Sequence, residues 1–86
     1  MIATSPAQSP FEEGDAHLDV RGRPAPEPMV AILSLCAQAP PGAAIVVRLD
    51  RDPVFLYPEL AEQGWKATRV AGDAGEVRLR LERVAP

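Results

Sequence analysis

The chain is short of the residues that staple small proteins or give them a strong charge. It has one cysteine, one histidine and, at Lys66, one lysine in 86 residues. One cysteine forms no internal disulfide and no multi-cysteine metal site. That excludes a disulfide-stapled secreted scaffold and a zinc finger. His17 stands among scattered carboxylates without metal-ligand spacing, so it reads as a strand-end residue, and no metal or cofactor is expected. No apolar run nears the roughly 20 residues that span a bilayer, so no membrane partner is expected. Residues 1–14 hold no base and no apolar stretch, unlike a signal peptide. A soluble cytoplasmic protein is the expectation. A glycine-rich phosphate loop and a Ser-x-Gly nucleophile elbow are also missing, so no catalytic residue is assigned.

A cationic surplus is absent too. Nine basic residues face twelve acidic ones. Glu12, Glu13 and Asp15 carry the imbalance, and residues 17–86 hold nine of each sign. Arg78, Arg80 and Arg83 cluster, but Glu76 and Glu82 lie among them. That pattern reads as a solvated strand face, and nucleic acid is not an expected partner.

Apolar residues make up 47% of the sequence, enough for one globular core and too little chain for two. Residues 1–15 are mostly Ser, Pro, Gln, Gly and acids, with Ile2 and Phe11 as the sizeable apolar groups besides Met1. They read as a flexible tail, and 16–86 as the domain. Docking of Phe11 onto the domain or onto a neighbouring chain stays open as an alternative.

Residues 17–21 alternate, placing Leu18 and Val20 inward in a short strand. Three prolines follow within five residues, at 24, 26 and 28. Proline suits the first turn of a helix, so a helix is predicted from about 26 to 38. Its buried face is read as Met29, Ile32, Leu33 and Cys36. Residues 44–49 predict a central strand. Asp52 and Pro53 predict the cap and first residue of a second helical segment. Pro58 should break it, giving a tight turn over 53–57 and a helix from about 58 to 63. Strands are predicted at 65–70 and 76–84, joined by a turn at 72–75. The order β-α-β-α-β-β predicts a two-layer α/β (α+β) sandwich, with a four-stranded mixed sheet and two helices on one face.

The stretch Leu18-Asp19-Val20-Arg21-Gly22-Arg23-Pro24-Ala25-Pro26-Glu27-Pro28 resembles the opening motif of the TusA/SirA-like small sulfur-carrier superfamily. There, a strand ending in Asp-x-x-Gly leads to Cys-Pro-x-Pro at a helix start. Pro40-Pro41-Gly42 and Asp52-Pro53 match as well. The details are most similar to an uncharacterised branch with Asp-x-Arg-Gly before the prolines and Leu-Tyr-Pro-x-Leu after the Asp-Pro, here Leu56, Tyr57, Pro58 and Leu60. The resemblance covers roughly residues 17–84 and implies the βαβαββ sandwich. It also places Ala25 where the superfamily carries its sulfur-bearing cysteine. A thiol at a helix N-terminus is a ready thiolate; a methyl group is not.

The expected function is therefore a non-catalytic domain that binds a protein partner or a small ligand such as an anion. The predicted face comprises loop 21–28 and the start of the second helix: Asp19, Arg21, Arg23, Pro26, Glu27, Pro28, Asp52 and Tyr57. Asp19 and Arg21 also read as a loop-fixing pair. Phe55, Tyr57 and Trp65 read as core and rim packing, and Asp50, Arg51 and Asp52 as a solvated turn. The alternative is sulfur transfer or redox chemistry at Cys36, whose helical phase instead predicts burial. A monomer or weak homodimer is expected.

Overall fold

Alternating apolar and polar residues, interrupted by prolines and glycines, produce six elements in this order: β1 (Ala16–Asp19), α1 (Glu27–Gln38), β2 (Ile45–Leu49), α2 (Leu56–Glu62), β3 (Trp65–Val70) and β4 (Val77–Arg83). The computed structural model describes Phe11 and residues 14–84. The strands form one sheet in the spatial order β1-β2-β4-β3. β1 runs parallel to β2, whereas β4 lies antiparallel to both β2 and β3.

The register fixes two unlike faces. Val47 lies opposite Leu18 on one side and Leu79 on the other, and Leu81 lies opposite Ala67. Period-two alternation then sends Ile45, Val47, Leu49, Val77, Leu79 and Leu81 to one side. Ile32, Leu35 and Cys36 of α1 and Leu56 and Leu60 of α2 join those residues in a single core. Both helices therefore cover the same face of a mixed sheet, as expected. The other face carries Asp19, Arg48, Arg78 and Arg80.

Several local expectations change. The buried stripe of α1 is Ile32, Leu35 and Cys36, continued by the buried C-cap residue Ala39. It keeps the i, i+3, i+4, i+7 spacing but starts one turn later, leaving Met29 and Leu33 partly buried at its margin. α2 begins at Leu56, and Pro58 breaks nothing. As the third helical residue it occupies a position whose N–H has no intrahelical acceptor. Asp52 does not cap α2: Phe55 is the N-cap residue, and no side chain caps the helix. β1 stops at Asp19, because the Asp19 carboxylate takes the Arg21 backbone N–H and turns the chain away. Gly64 (φ +82°) ends α2 in the left-handed conformation that glycine adopts freely.

The expected flexible tail lies largely outside the described residues. Within it, Phe11 is 8% exposed and belongs to the core. Asp15 accepts the Ala44 N–H at 3.1 Å and pairs with Arg80. Both residues therefore pack against the body of the fold, and the Phe11 ring gains by burial among its apolar neighbours. No helix among the described residues is long and apolar enough to cross a membrane.

Candidate functional site

The parallel strands β1 and β2 both end where the two helices begin, and a groove of about 590 Å³ opens between their loops. One wall is the proline segment, with Pro24, Ala25, Pro26 and Met29; the other is 49–56, with Leu49, Val54 and Phe55. The prolines shape the first wall, which turns at residues 25–26, where the Glu27 N–H donates to the Pro24 carbonyl at 3.0 Å, before α1 starts. Gly22, at φ +82°, turns the chain so that its N–H donates to Asp50 Oδ2 at 2.6 Å. That bond ties the two walls together. The floor is hydrophobic core, where Val20, Ile32 and Leu56 are each 2% exposed or less.

The rim carries charge. Arg23 and Arg51 both line the groove and are exposed. Neither makes an ion pair or side-chain hydrogen bond among the described residues, whereas Arg21, Arg48, Arg78 and Arg80 are all paired. The rim acids are engaged: Asp50 holds Gly22, and Asp52 Oδ1 accepts the Tyr57 hydroxyl. Burial, then the bond to Asp52, pushes the Tyr57 phenol up to about 12.

The predicted site residues divide into two groups. Arg23, Pro26, Pro28 and Asp52 line the groove. Tyr57 stands behind it, through Asp52. Asp19 and Arg21 face the opposite side of the sheet. Asp19 accepts from Arg21 Nε at 2.9 Å and Nη2 at 2.7 Å, and Arg21 also reaches Glu76. The Arg21 bonds hold the Asp19 carboxyl well below the usual carboxylate range. This pair is the loop-fixing device that the sequence suggested. Glu27 is exposed in the first turn of α1 and does not line the groove.

Sequence reasoning missed Phe55, Val54 and Arg51. Phe55 was expected to pack, but it is 82% exposed and Val54 is 55% exposed. A signal existed: two adjacent apolar residues precede a helix whose apolar stripe needs only Leu56 and Leu60. Trp65 does pack, 2% exposed, with the Arg83 guanidinium 4.7 Å from its ring centre.

Among the described residues, no cysteine, serine, threonine, histidine or lysine lines the groove. Cys36 is 1% exposed in the core, and burial pushes its thiol up to about 11. It is therefore a neutral thiol near neutral pH. Among the described residues, no three His, Cys, Asp or Glu side chains gather as metal ligands.

Comparison with known proteins agrees with this architecture. A crystal structure of a SirA-like protein from Desulfitobacterium hafniense superposes with a TM-score of 0.61 at 20% sequence identity, covering 76% of this chain and 92% of that one. No curated protein matches the sequence. The family described as "Uncharacterized conserved protein (DUF2249)" matches residues 17–83. With its SirA-like fold and its proline-walled groove, the chain belongs to that DUF2249 family.

Proposed function

We propose that the chain is a cytoplasmic, non-catalytic binding module that engages a protein partner through the groove between the proline segment and residues 49–56. The observation that carries this reading is the lining. Where the sulfur-carrier resemblance calls for a nucleophilic thiol, the wall presents the Ala25 methyl group, and the rest of the surface is largely apolar. Such a surface has little to offer a reacting group. It can bury apolar side chains at about 25 cal/mol per Å².

A small anion is disfavoured at the same place. Pro26 and Pro28 have no N–H, the Glu27 N–H is taken by the Pro24 carbonyl at 3.0 Å, and Glu27 brings a negative charge to the helix start. Sulfur transfer through Cys36 is disfavoured by its burial and its raised pKa.

Site-specific photo-crosslinking in the native host tests the reading. A photoreactive residue at position 54 should give discrete cross-linked products that F55S abolishes. The same probe at Thr68, on the exposed sheet face, should not give them. Products from Thr68 alone, or products from position 54 that F55S leaves unchanged, would reject the groove as the binding surface.

A further inference from the structure

The chemistry of the partner is written on the rim. The groove floor and walls are apolar, and Phe55 projects beside them almost fully exposed. Both rim acids already accept hydrogen bonds from the protein itself. The two rim arginines, Arg23 and Arg51, do not have such partners among the described residues. Asp50 and Asp52 remain carboxylates but are each held by a donor of the protein, the Gly22 N–H and the Tyr57 hydroxyl, whereas the guanidinium forks of Arg23 and Arg51 are free to take carboxylates, whose geometry they match.

The contrast with the sheet face is what makes the rim informative. On that face, Arg21, Arg48, Arg78 and Arg80 are all neutralised by Asp19, Glu76, Asp73 and Asp15. The fold has paired these four with carboxylates and, among the described residues, left Arg23 and Arg51 unpaired at the mouth of an apolar groove; Lys66 and Arg69, on β3, line no part of it.

We infer that the occupant of the groove is a short acidic–apolar segment of another protein: an aromatic or long aliphatic side chain enters between Pro26 and Phe55, and flanking carboxylates meet Arg23 and Arg51. This rests on the groove being the binding surface and adds the chemistry of its occupant. Apolar burial supplies most of the affinity, with Phe55 as the anchor of this chain. The carboxylate–arginine contacts lie at the rim, so they act on encounter rate, register and salt dependence more than on residual affinity.

The test is selection of displayed 12-residue peptides on the immobilised full chain, followed by titration of the strongest binder into 15N-labelled protein. The expected binders hold an aromatic or aliphatic residue flanked by Asp or Glu, and they shift the resonances of Ala25, Met29 and Val54. Replacing the acids of the peptide with Gln should weaken binding by about 10-fold at low salt, and R23Q/R51Q should weaken it by a similar factor. The two changes together should weaken it little further, because each removes the same contacts. Raising the salt concentration should narrow these differences, and K66Q, on β3 opposite Glu82 and outside the groove lining, should leave binding unchanged.

Groove-binding peptides without acids, indifferent to R23Q/R51Q, would overturn the acidic chemistry and leave the groove reading intact. Peptides that shift only sheet-face resonances, or no selected peptide at all, would overturn both. Self-association abolished by F55S would show that the occupant is a second copy of this chain, and would overturn the partner proposed here.

Discussion

Arg48 on β2 stands directly opposite Arg78 on β4, two like charges paired across the sheet. Such a pair is destabilising by itself. Glu76 resolves it. Its Oε1 takes Arg48 Nε at 3.0 Å and Nη2 at 2.7 Å, and its Oε2 takes Arg78 Nε at 2.7 Å. The Glu76 side chain is 2% exposed, roofed over by the arginines that it neutralises.

E76Q should therefore lower the melting temperature by several degrees, since the amide keeps the shape and loses the charge. E76Q/R78Q should recover part of the loss, because the opposed cations are then gone. Additive losses in the double variant would show that the two positions do not interact.

The same cluster sets the acid limit. The Arg48 and Arg78 bonds pull the Glu76 carboxyl down to about 2, and Asp15 and Asp19 are lowered in the same direction. Each binds protons more weakly in the folded chain than in the unfolded one. Their stabilisation is complete above the ordinary carboxylate range, about pH 4–5, and fades as pH falls toward about 2. Denaturant titrations between pH 6 and pH 2 should show stability falling with pH, and E76Q should flatten the curve. An equally steep curve in E76Q would remove Glu76 from the account.

Tyr57 gives the opposite sign. It is the only tyrosine, so its phenolate absorbance reports one site. Its folded pKa is raised to about 12 by burial and by the Asp52 bond. The folded chain then holds a proton that the unfolded chain, with an ordinary phenol near pH 10, has lost. Stability should be full below about pH 10 and fall as pH rises toward about 12. D52N should bring the midpoint partway down. A native midpoint near the ordinary value would mean that the hydroxyl does not meet Asp52.

The sequence made much of the architecture visible. Strand alternation in 76–84 and the proline-led start of α1 gave the sheet faces and the helix position, because local sterics and burial act in the same direction there. Where two rules compete, local reading fell short. Pro58 looked like a helix breaker because its meaning depends on a helix start two residues earlier. Asp52 looked like an N-cap, yet its carboxylate is recruited by Tyr57, a contact that only the folded turn creates. The groove itself was half visible. The proline wall has a motif, but the wall of Leu49, Val54 and Phe55 becomes a wall only when the parallel pairing of β1 and β2 sets the two loops side by side.

Cys36 separates the proposed role from sulfur chemistry most directly. The thiol is 1% exposed among core side chains and neutral near neutral pH. Native alkylation should be at least ~100-fold slower than in denaturant, limited by opening of the fold. C36A should fold with a loss of about 1 kcal/mol, as expected for trimming one small buried group. Fast alkylation of the folded chain would expose the thiol and return persulfide chemistry to consideration.

Phe11 tests where the domain begins. Its ring is 8% exposed within the core, and the Gly14 N–H donates to its carbonyl at 3.0 Å. F11A should lower stability by about 3–5 kcal/mol, the range for emptying a buried aromatic site. For a domain this small, that is a large share of the total. F11L should retain most of it, because the contact is apolar volume and not a specific polar bond. If both variants melt with the parent, Phe11 adds nothing to the fold, and the stabilising core is confined to residues 16–84. If F11A alone is weakened, residues before β1 belong to the folding unit. The family match, which starts at residue 17, would then mark a boundary shorter than the physical domain.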